Sequence, residues 1–182
     1  KSGLAPGLLH DLRFDGAGRL RPDFVLNQPA FAGVDVLIAG SNYGCGSSRE
    51  HAVWGMQQYG FKAVVASSFG EIFYSNALNN RLLLAMVPEA DVQAFMAEAA
   101  RLQGPLALTI DVRQRTVHSV GHGARFTLSD RHQRMFLQGL DVIGASLSYT
   151  EQINAFAARH WAAQPWVKDV ARVTRERLSA AG

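Results

Sequence analysis

The stretch YGCGSSREH, from Tyr43 to His51, concentrates side chains that could carry out chemistry. Two glycines flank a cysteine, and two serines, an arginine, a glutamate and a histidine follow. Three kinds of site fit this composition: an anion cradle of backbone N–H groups, a reactive thiol, or a plain helix N-cap. The spacing of these residues and the elements around them decide between the three.

The glycines favour a small anion over a nucleotide. Gly40, Gly44 and Gly46 have the spacing G-x-x-x-G-x-G, which differs from the dinucleotide-binding G-x-G-x-x-G, and no lysine follows as in a P-loop. A glycine-rich turn before a helix can still bind an anion, because free N–H groups and the positive end of the helix dipole converge there.

Cys45 lies just before a predicted helix, a position typical of reactive thiols. His51 is close in sequence, but a place inside the helix does not bring its ring to the thiol. We therefore favour a small turn residue at Cys45 over a nucleophile.

Ser47 and Glu50 have the spacing of a capping box, which predicts Ser47 as the N-cap of the helix. A cap explains neither Ser48 nor Arg49, and an arginine in the first turn is unfavourable against the helix dipole. Arg49 is better explained as a two-pronged carboxylate clamp. Two hydroxyls, an arginine and a helix N-terminus suit a substrate that carries several carboxylates.

The hydrophobic pattern predicts an α/β domain with mixed strands, in which strand, glycine turn, helix and strand form a parallel crossover unit. Further capping boxes at Ser68–Glu71 and Ser148–Glu151 predict two more helices. The predicted elements are strands over 34–40, 61–67 and 81–87, helices over 47–59, from 71, over 89–102 and from 148 to Pro165, antiparallel strands within 105–130, and a basic helical tail.

Composition excludes several classes of function. The 182 residues are 48% hydrophobic and 18% charged, as in soluble globular proteins. The net charge of +3 comes without a basic face interleaved with aromatics, so we expect no nucleic-acid partner, and no apolar run predicts a membrane span. A single cysteine excludes an intrachain disulfide and any cluster or zinc site built from several thiolates. The histidines, His122 in a glycine turn among them, lack partners at metal-ligand spacing.

The segment GSNYGCGSSREHAVWGMQQYGFKAVVASSFGEIFYSNALNNRLLL closely resembles the small subunit of 3-isopropylmalate dehydratase, a family of the aconitase superfamily. PDFVLNQPAFAG upstream and DRHQRMFLQGLDVIGASLSYTEQINAF downstream extend the similarity over most of the chain, from Leu8 to Trp161. The resemblance implies a single swivelling β/β/α domain with a mixed sheet, like the aconitase C-terminal domain, over residues 1–165, with a basic tail over 166–182.

The resemblance also implies a cytoplasmic hydro-lyase of leucine biosynthesis, which isomerises 2-isopropylmalate to 3-isopropylmalate by dehydration and rehydration. A large subunit would hold a [4Fe–4S] cluster, and this chain would bind no cofactor or metal. The two subunits would form a heterodimer or heterotetramer. Ser47 would be the base, Ser48 and Arg49 would bind substrate, and Gly44 and Gly46 would support the turn and its N–H donors.

Two alternatives stay open. The chain begins after the family's Asp-Thr-Asp-type motif and its specificity loop, which leaves room for a related dehydratase of citraconate- or methylmalate-type diacids. A non-catalytic anion-binding module on the same scaffold would also keep the glycine turn.

Overall fold

A computed structural model describes residues 2–102 and 104–180. They form two compact units, one that ends at Asp141 and one that begins at Val142. The strands are β1 (Val36–Ile38), β2 (Ala63–Ala66), β3 (Leu83–Met86), β4 (Thr109–Asp111), β5 (Thr116–His118) and β6 (Gly123–Arg125). The helices are α1 (His10–Arg13), α2 (His51–Tyr59), α3 (Glu71–Asn79), α4 (Glu89–Ala100), α5 (Asp130–Gln138), α6 (Val142–Leu147), α7 (Thr150–Ala163) and α8 (Val170–Ala180). Short 3₁₀ turns occupy Ala5–Gly7, Val25–Asn27, Pro29–Phe31 and Pro165–Val167.

The predicted crossover unit is confirmed. Strands β1, β2 and β3 form a parallel sheet in that order, with α2 and α3 as the connections. All four residues of β2 are buried, as expected for a central parallel strand made of alanine and valine. Each strand is shorter than its apolar run, although the next residues still bond to the sheet: the N–H of Ala39 donates to the carbonyl of Val65 at 2.9 Å, and that of Val87 to the carbonyl of Ala66 at 3.1 Å.

The core of the first unit lies between this sheet and its helices. Val53 and Met56 on α2, and Val92 and Phe95 on α4, are almost fully buried. Each side chain of this size contributes about 1.5–3 kcal/mol when it leaves water. Gly60 closes α2 with a φ of +121°.

The predicted antiparallel strands are confirmed as a second sheet, in the order β4-β5-β6. A bridge between Met86 and Thr127 joins β3 to the segment after β6. His122 lies in the β5–β6 turn, as predicted. The His122 ring also shares a 2.8 Å hydrogen bond with the Asp91 carboxylate and packs edge-on against Phe95. Both contacts tie the turn to α4.

The capping box at Ser68–Glu71 is wrong, although the helix it predicted exists. Helix α3 begins at Glu71 with Gly70 at its N-cap and no capping side chain among the described residues. The Ser68 hydroxyl instead accepts a 2.7 Å hydrogen bond from the backbone N–H of Asn42. A tertiary contact has taken the serine that the local pattern assigned to the helix.

The second unit is helical and contains α6, α7 and α8. The predicted capping box at Ser148 is also wrong: α7 begins at Thr150, and the Ser148 hydroxyl donates to the carbonyl of Ala145 at 2.7 Å. The predicted stop at Pro165 and the helical tail are confirmed. Within this unit α7 carries exposed large apolar side chains: Ile153, Phe156 and Trp161. The boundary at residue 165 between the swivelling domain and the basic tail stays a prediction.

Candidate functional site

The glycine turn lies at the carboxyl end of the parallel sheet. The β1–α2 loop and the β2–α3 loop meet there, because β1 and β2 are parallel neighbours. The backbone N–H of Tyr43 donates to the carbonyl of Ser68 at 3.1 Å, and that of Gly70 donates to the carbonyl of Tyr43 at 2.9 Å. This edge is where open α/β sheets place their ligand sites.

Two glycines let the turn pack directly against α3. Gly44 has a φ of +82°, and a Cβ at this position would lie 2.2 Å from Cγ of the buried Phe73. A Cβ on Gly70 would lie 3.0 Å from the Cα of Cys45. Gly46 has neither constraint, since nothing lies within 4 Å of the place of its Cβ. Gly44 therefore supports the turn, whereas Gly46 leaves open space beside it.

Ser47 does not cap α2, which corrects the predicted capping box. The helix begins four residues later, at His51, and Glu50 occupies its N-cap position without a capping hydrogen bond from any described side chain. The Ser47 hydroxyl accepts a 3.2 Å hydrogen bond from the backbone N–H of Arg49 instead, in a local serine turn. Ser47 is half-buried, and the segment from 47 to 50 stays outside the helix.

Ser48 and Arg49 face outwards, as both are exposed. Within 2–102 and 104–180, neither side chain has a hydrogen-bond or ion-pair partner. An arginine without a carboxylate partner, in the turn that leads into a helix N-terminus, gains nothing from its own fold. The structure thus places Ser47, Ser48 and Arg49 together in one fixed turn and leaves the guanidinium available.

A cavity of about 470 Å³ borders the inner side of this turn. Its walls are mainly apolar, and Cys45, Gly46 and Ser47 lie along its rim. The other wall residues come from the N-terminal segment, the turn, α2 and α3: Leu4, Gly7, Leu8, Leu9, Tyr43, Gly44, His51, Ala52, Gly55, Met56 and Phe73. Such a space can take an alkyl group next to the serine.

Tyr43 and Cys45 are the other side chains of this turn that could exchange a proton. Burial raises the pKa of Tyr43 to about 12, and its hydroxyl contacts the Met56 sulfur at 3.5 Å, so it stays protonated. Cys45 is exposed and, among the described residues, makes no hydrogen bond to His51. The His51 ring packs on Trp54 instead, with 4.8 Å between ring centroids.

Comparison with known proteins assigns the family. Residues 9–89 match the model of the aconitase C-terminal domain. Over 179 residues the chain is 56% identical to 3-isopropylmalate dehydratase small subunit 1 of Chromobacterium violaceum, which covers 98% of this chain and 84% of that protein. This chain belongs to the 3-isopropylmalate dehydratase small-subunit family. A small subunit from Phenylobacterium zucineum is 41% identical over 92% of this chain and 82% of that protein.

A solved structure supports the same fold for this dehydratase small subunit. The 3-isopropylmalate dehydratase structure from Methanocaldococcus jannaschii matches with a TM-score of 0.50 and 27% identity, over 69% of this chain and 70% of that one. The expected family, the α/β fold with parallel and antiparallel strands and the hydro-lyase class are thereby confirmed. The chain is a subunit of a leucine-biosynthesis enzyme, and its family implies a large-subunit partner.

In the part of the chain that the structure describes, no three His, Cys, Asp or Glu side chains converge as metal ligands. No helix of that part has the length and apolar character needed to cross a bilayer.

Two residues that position the turn are missing from the sequence predictions. Gly70 packs under Cys45, and a glycine directly before a helical pattern was the available signal. Asn80 contacts Glu50 from the far end of α3, with an Nδ2–Oε1 distance of 2.6 Å. Thirty positions separate these two residues in the sequence, so no local pattern could pair them.

Proposed function

We propose that this chain supplies the base and the carboxylate clamp to the isomerisation of 2-isopropylmalate to 3-isopropylmalate, by dehydration and rehydration. Ser47 is the base, and Ser48 and Arg49 bind the substrate carboxylates. The observation that carries this proposal is the turn at the carboxyl edge of a parallel sheet, in which a half-buried Ser47 is followed by an exposed Arg49 whose side chain has no partner among the described residues.

Ser47 needs help to act as a base, because the proton to be removed lies next to a carboxylate and is only weakly acidic. A neutral serine hydroxyl cannot take up this proton, but the alkoxide can, and preorganised donors that stabilise the alkoxide raise the fraction of Ser47 that is ionised. One donor is already aimed at it: the backbone N–H of Arg49, 3.2 Å from the Ser47 Oγ. The start of α2, only four residues further along the chain, adds the positive end of the helix dipole.

Arg49 suits a dicarboxylate because its planar guanidinium can donate two parallel hydrogen bonds to one carboxylate. The exposed Ser48 adds a hydroxyl donor beside it. The apolar cavity that borders Ser47 supports an alkyl-substituted substrate over a purely polar one. Citraconate- and methylmalate-type diacids carry smaller alkyl groups, so turnover of the different diacids distinguishes them from 2-isopropylmalate as the substrate.

The hydroxyl group that leaves must be activated elsewhere. A [4Fe–4S] cluster is held by cysteine thiolates, and this chain has a single cysteine, so its residues do not fit such a cluster. We therefore assign the cluster, and the Lewis acid that it supplies, to the large subunit. The proposed assembly is a cytoplasmic heterodimer or heterotetramer, in which this chain covers the substrate.

The test uses the complex reconstituted with a cluster-loaded large subunit, assayed with 2-isopropylmalate, citraconate and dimethylmalate. Ser47→Ala should lower kcat on the order of 10²–10⁴-fold, the usual effect of losing a general base. Arg49→Lys should raise KM, since lysine cannot form the two-pronged pair. Ser41→Ala is the matched control, because Ser41 is an exposed serine in the same loop with no side-chain partner among the described residues.

The proposal fails if Ser47→Ala turns over like the Ser41→Ala control. Faster turnover of citraconate than of 2-isopropylmalate by the unmodified complex would instead overturn the choice of substrate. A complex with native Ser47 that binds diacids but converts none of them would favour the non-catalytic module.

A further inference from the structure

The side-chain amide of Asn80 makes three hydrogen bonds, two of which join the end of α3 to α2. Its Nδ2 donates to the Glu50 carboxylate at 2.6 Å and to the carbonyl of Asn76 at 2.9 Å. Its Oδ1 accepts from the indole N–H of Trp54 at 3.0 Å. The backbone carbonyl of Asn80 also accepts from the Gln57 amide at 2.7 Å. One residue at the end of α3 thus holds three successive turns of the segment that begins at Glu50.

The backbone around Asn80 is itself fixed. Asn80 occupies the C-cap of α3, and the next residue, Arg81, adopts a left-handed φ of +60°. The N–H of Leu82 donates to the carbonyl of Ala77 at 2.9 Å, and the N–H of Arg81 donates to that of Leu78 at 3.2 Å. This pair of bonds is a Schellman motif, which gives the asparagine a defined place from which to reach α2.

We propose that Asn80 is a positioning residue for the carboxylate clamp, an inference that rests on the proposed function of Ser47 and Arg49. Glu50 follows Arg49 directly and stands at the N-cap of α2, which lacks a side-chain cap among the described residues. The bond from Asn80 to Glu50 holds the point at which the turn enters the helix. It also engages the carboxylate nearest in sequence to Arg49, which leaves the guanidinium for substrate.

The proposal makes a sharp prediction about paired substitutions, measured in the reconstituted complex. Asn80→Ala removes the link, and kcat/KM should fall about tenfold to a hundredfold, since small displacements of a binding group cost this much. Asn80→Asp should be at least as damaging, because its carboxylate would face that of Glu50. Combining Asn80→Asp with Glu50→Gln should recover part of the loss, since the new amide donates to the new carboxylate.

Two controls separate positioning from mere folding. Asn79→Ala changes an exposed neighbour at the same helix end and should keep kcat/KM. Glu50→Gln alone should also change little, because its amide oxygen still accepts from Asn80. All assays are run well below the unfolding temperature of each variant. For Asn80→Ala, KM should rise by a larger factor than kcat falls.

The inference is overturned if Asn80→Ala lowers the unfolding temperature but keeps kcat/KM within about twofold of the unmodified complex. It is equally overturned if kcat/KM of the double variant Asn80→Asp/Glu50→Gln is no higher than that of Asn80→Asp alone. This comparison does not depend on whether Asn80→Ala folds. Failure of the underlying function looks different, because Ser47→Ala would then be active. If Ser47→Ala is inactive while Asn80→Ala is fully active, only the positioning role of Asn80 is overturned.

Discussion

Replacing Gly44 by alanine should break the turn that presents Ser47, while the same change at Gly46 should not. The two glycines flank Cys45 and look equivalent in the sequence. Gly44 has a φ of +82° and a core side chain directly against it, whereas Gly46 has open space around it and no positive φ. The pair is therefore a matched test of the geometry of the turn.

The expected cost of Gly44→Ala has two parts. A residue with a Cβ loses about 1–2 kcal/mol in the left-handed region. The added Cβ would also lie 2.2, 2.5 and 2.7 Å from three atoms of Phe73, a side chain that is only 3% exposed. Overpacking of a filled core costs typically about 1–3 kcal/mol, so the total is about 2–5 kcal/mol. Gly46→Ala should be neutral or stabilise by up to about 1 kcal/mol, because alanine restricts the unfolded chain.

Thermal unfolding followed by circular dichroism measures the difference. For a chain of this size 1 kcal/mol corresponds to about 2–4 °C, so Gly44→Ala should lower Tm by about 4–20 °C relative to the native chain. Gly44→Asn separates the two causes: asparagine tolerates a positive φ, yet it meets the same Phe73 contact and should stay destabilised. Equal Tm values for the alanine variants at 44 and 46 would refute the described turn.

Two further predictions concern the neighbours of Ser47. Cys45→Ser should keep most of the turnover of the reconstituted complex, because the thiol is exposed and lacks a bond to His51 among the described residues; a loss as large as that of Ser47→Ala would reinstate a thiol mechanism. Burial raises the pKa of Tyr43 from 10.0 to about 12, so the folded chain keeps a proton that the unfolded chain releases, and stability present below pH 10 is lost as the pH rises towards 12. Tyr43→Phe should therefore flatten the fall in unfolding free energy between about pH 10 and about pH 12, and an unchanged slope would contradict the burial of this hydroxyl.

The parallel sheet and its crossover helices could be predicted because their signals are local. Apolar runs such as AVVA in β2 have no other stable place than a buried strand, and Gly60 marks the end of α2 by its backbone freedom. Helix α5 went unassigned, although Ser129 accepts a hydrogen bond from the N–H of His132 at its start. The glutamate that would complete a capping box is absent there, so the pattern gave no signal.

The three predicted capping boxes failed because each serine makes another hydrogen bond in the folded chain: local ones at Ser47 and Ser148, and a tertiary one at Ser68. A serine hydroxyl bonds to whichever backbone group lies nearest in the folded chain, and the spacing S-x-x-E does not report tertiary neighbours. Ser68 is taken by Asn42 of the adjacent loop, and Ser148 by a carbonyl three residues before it. The same limit hides the approach of Phe73 to Gly44, since only the folded sheet brings α3 against the turn.

Because Ser47 does not cap α2, its effects on stability and on rate can be separated. As an N-cap, its oxygen would be committed to the helix, and any substitution would mix lost stability with lost rate. In the structure Asn80 bonds to Glu50 at the start of α2, and among the described residues the Ser47 hydroxyl accepts a single hydrogen bond, from the backbone N–H of Arg49. Folding and catalysis are therefore assigned to different side chains. Ser47→Ala should change the free energy of unfolding of the isolated chain by no more than about 0.5 kcal/mol, as for other substitutions that remove no core contact. A loss of rate in the complex would then support the proposed role of Ser47 as the base.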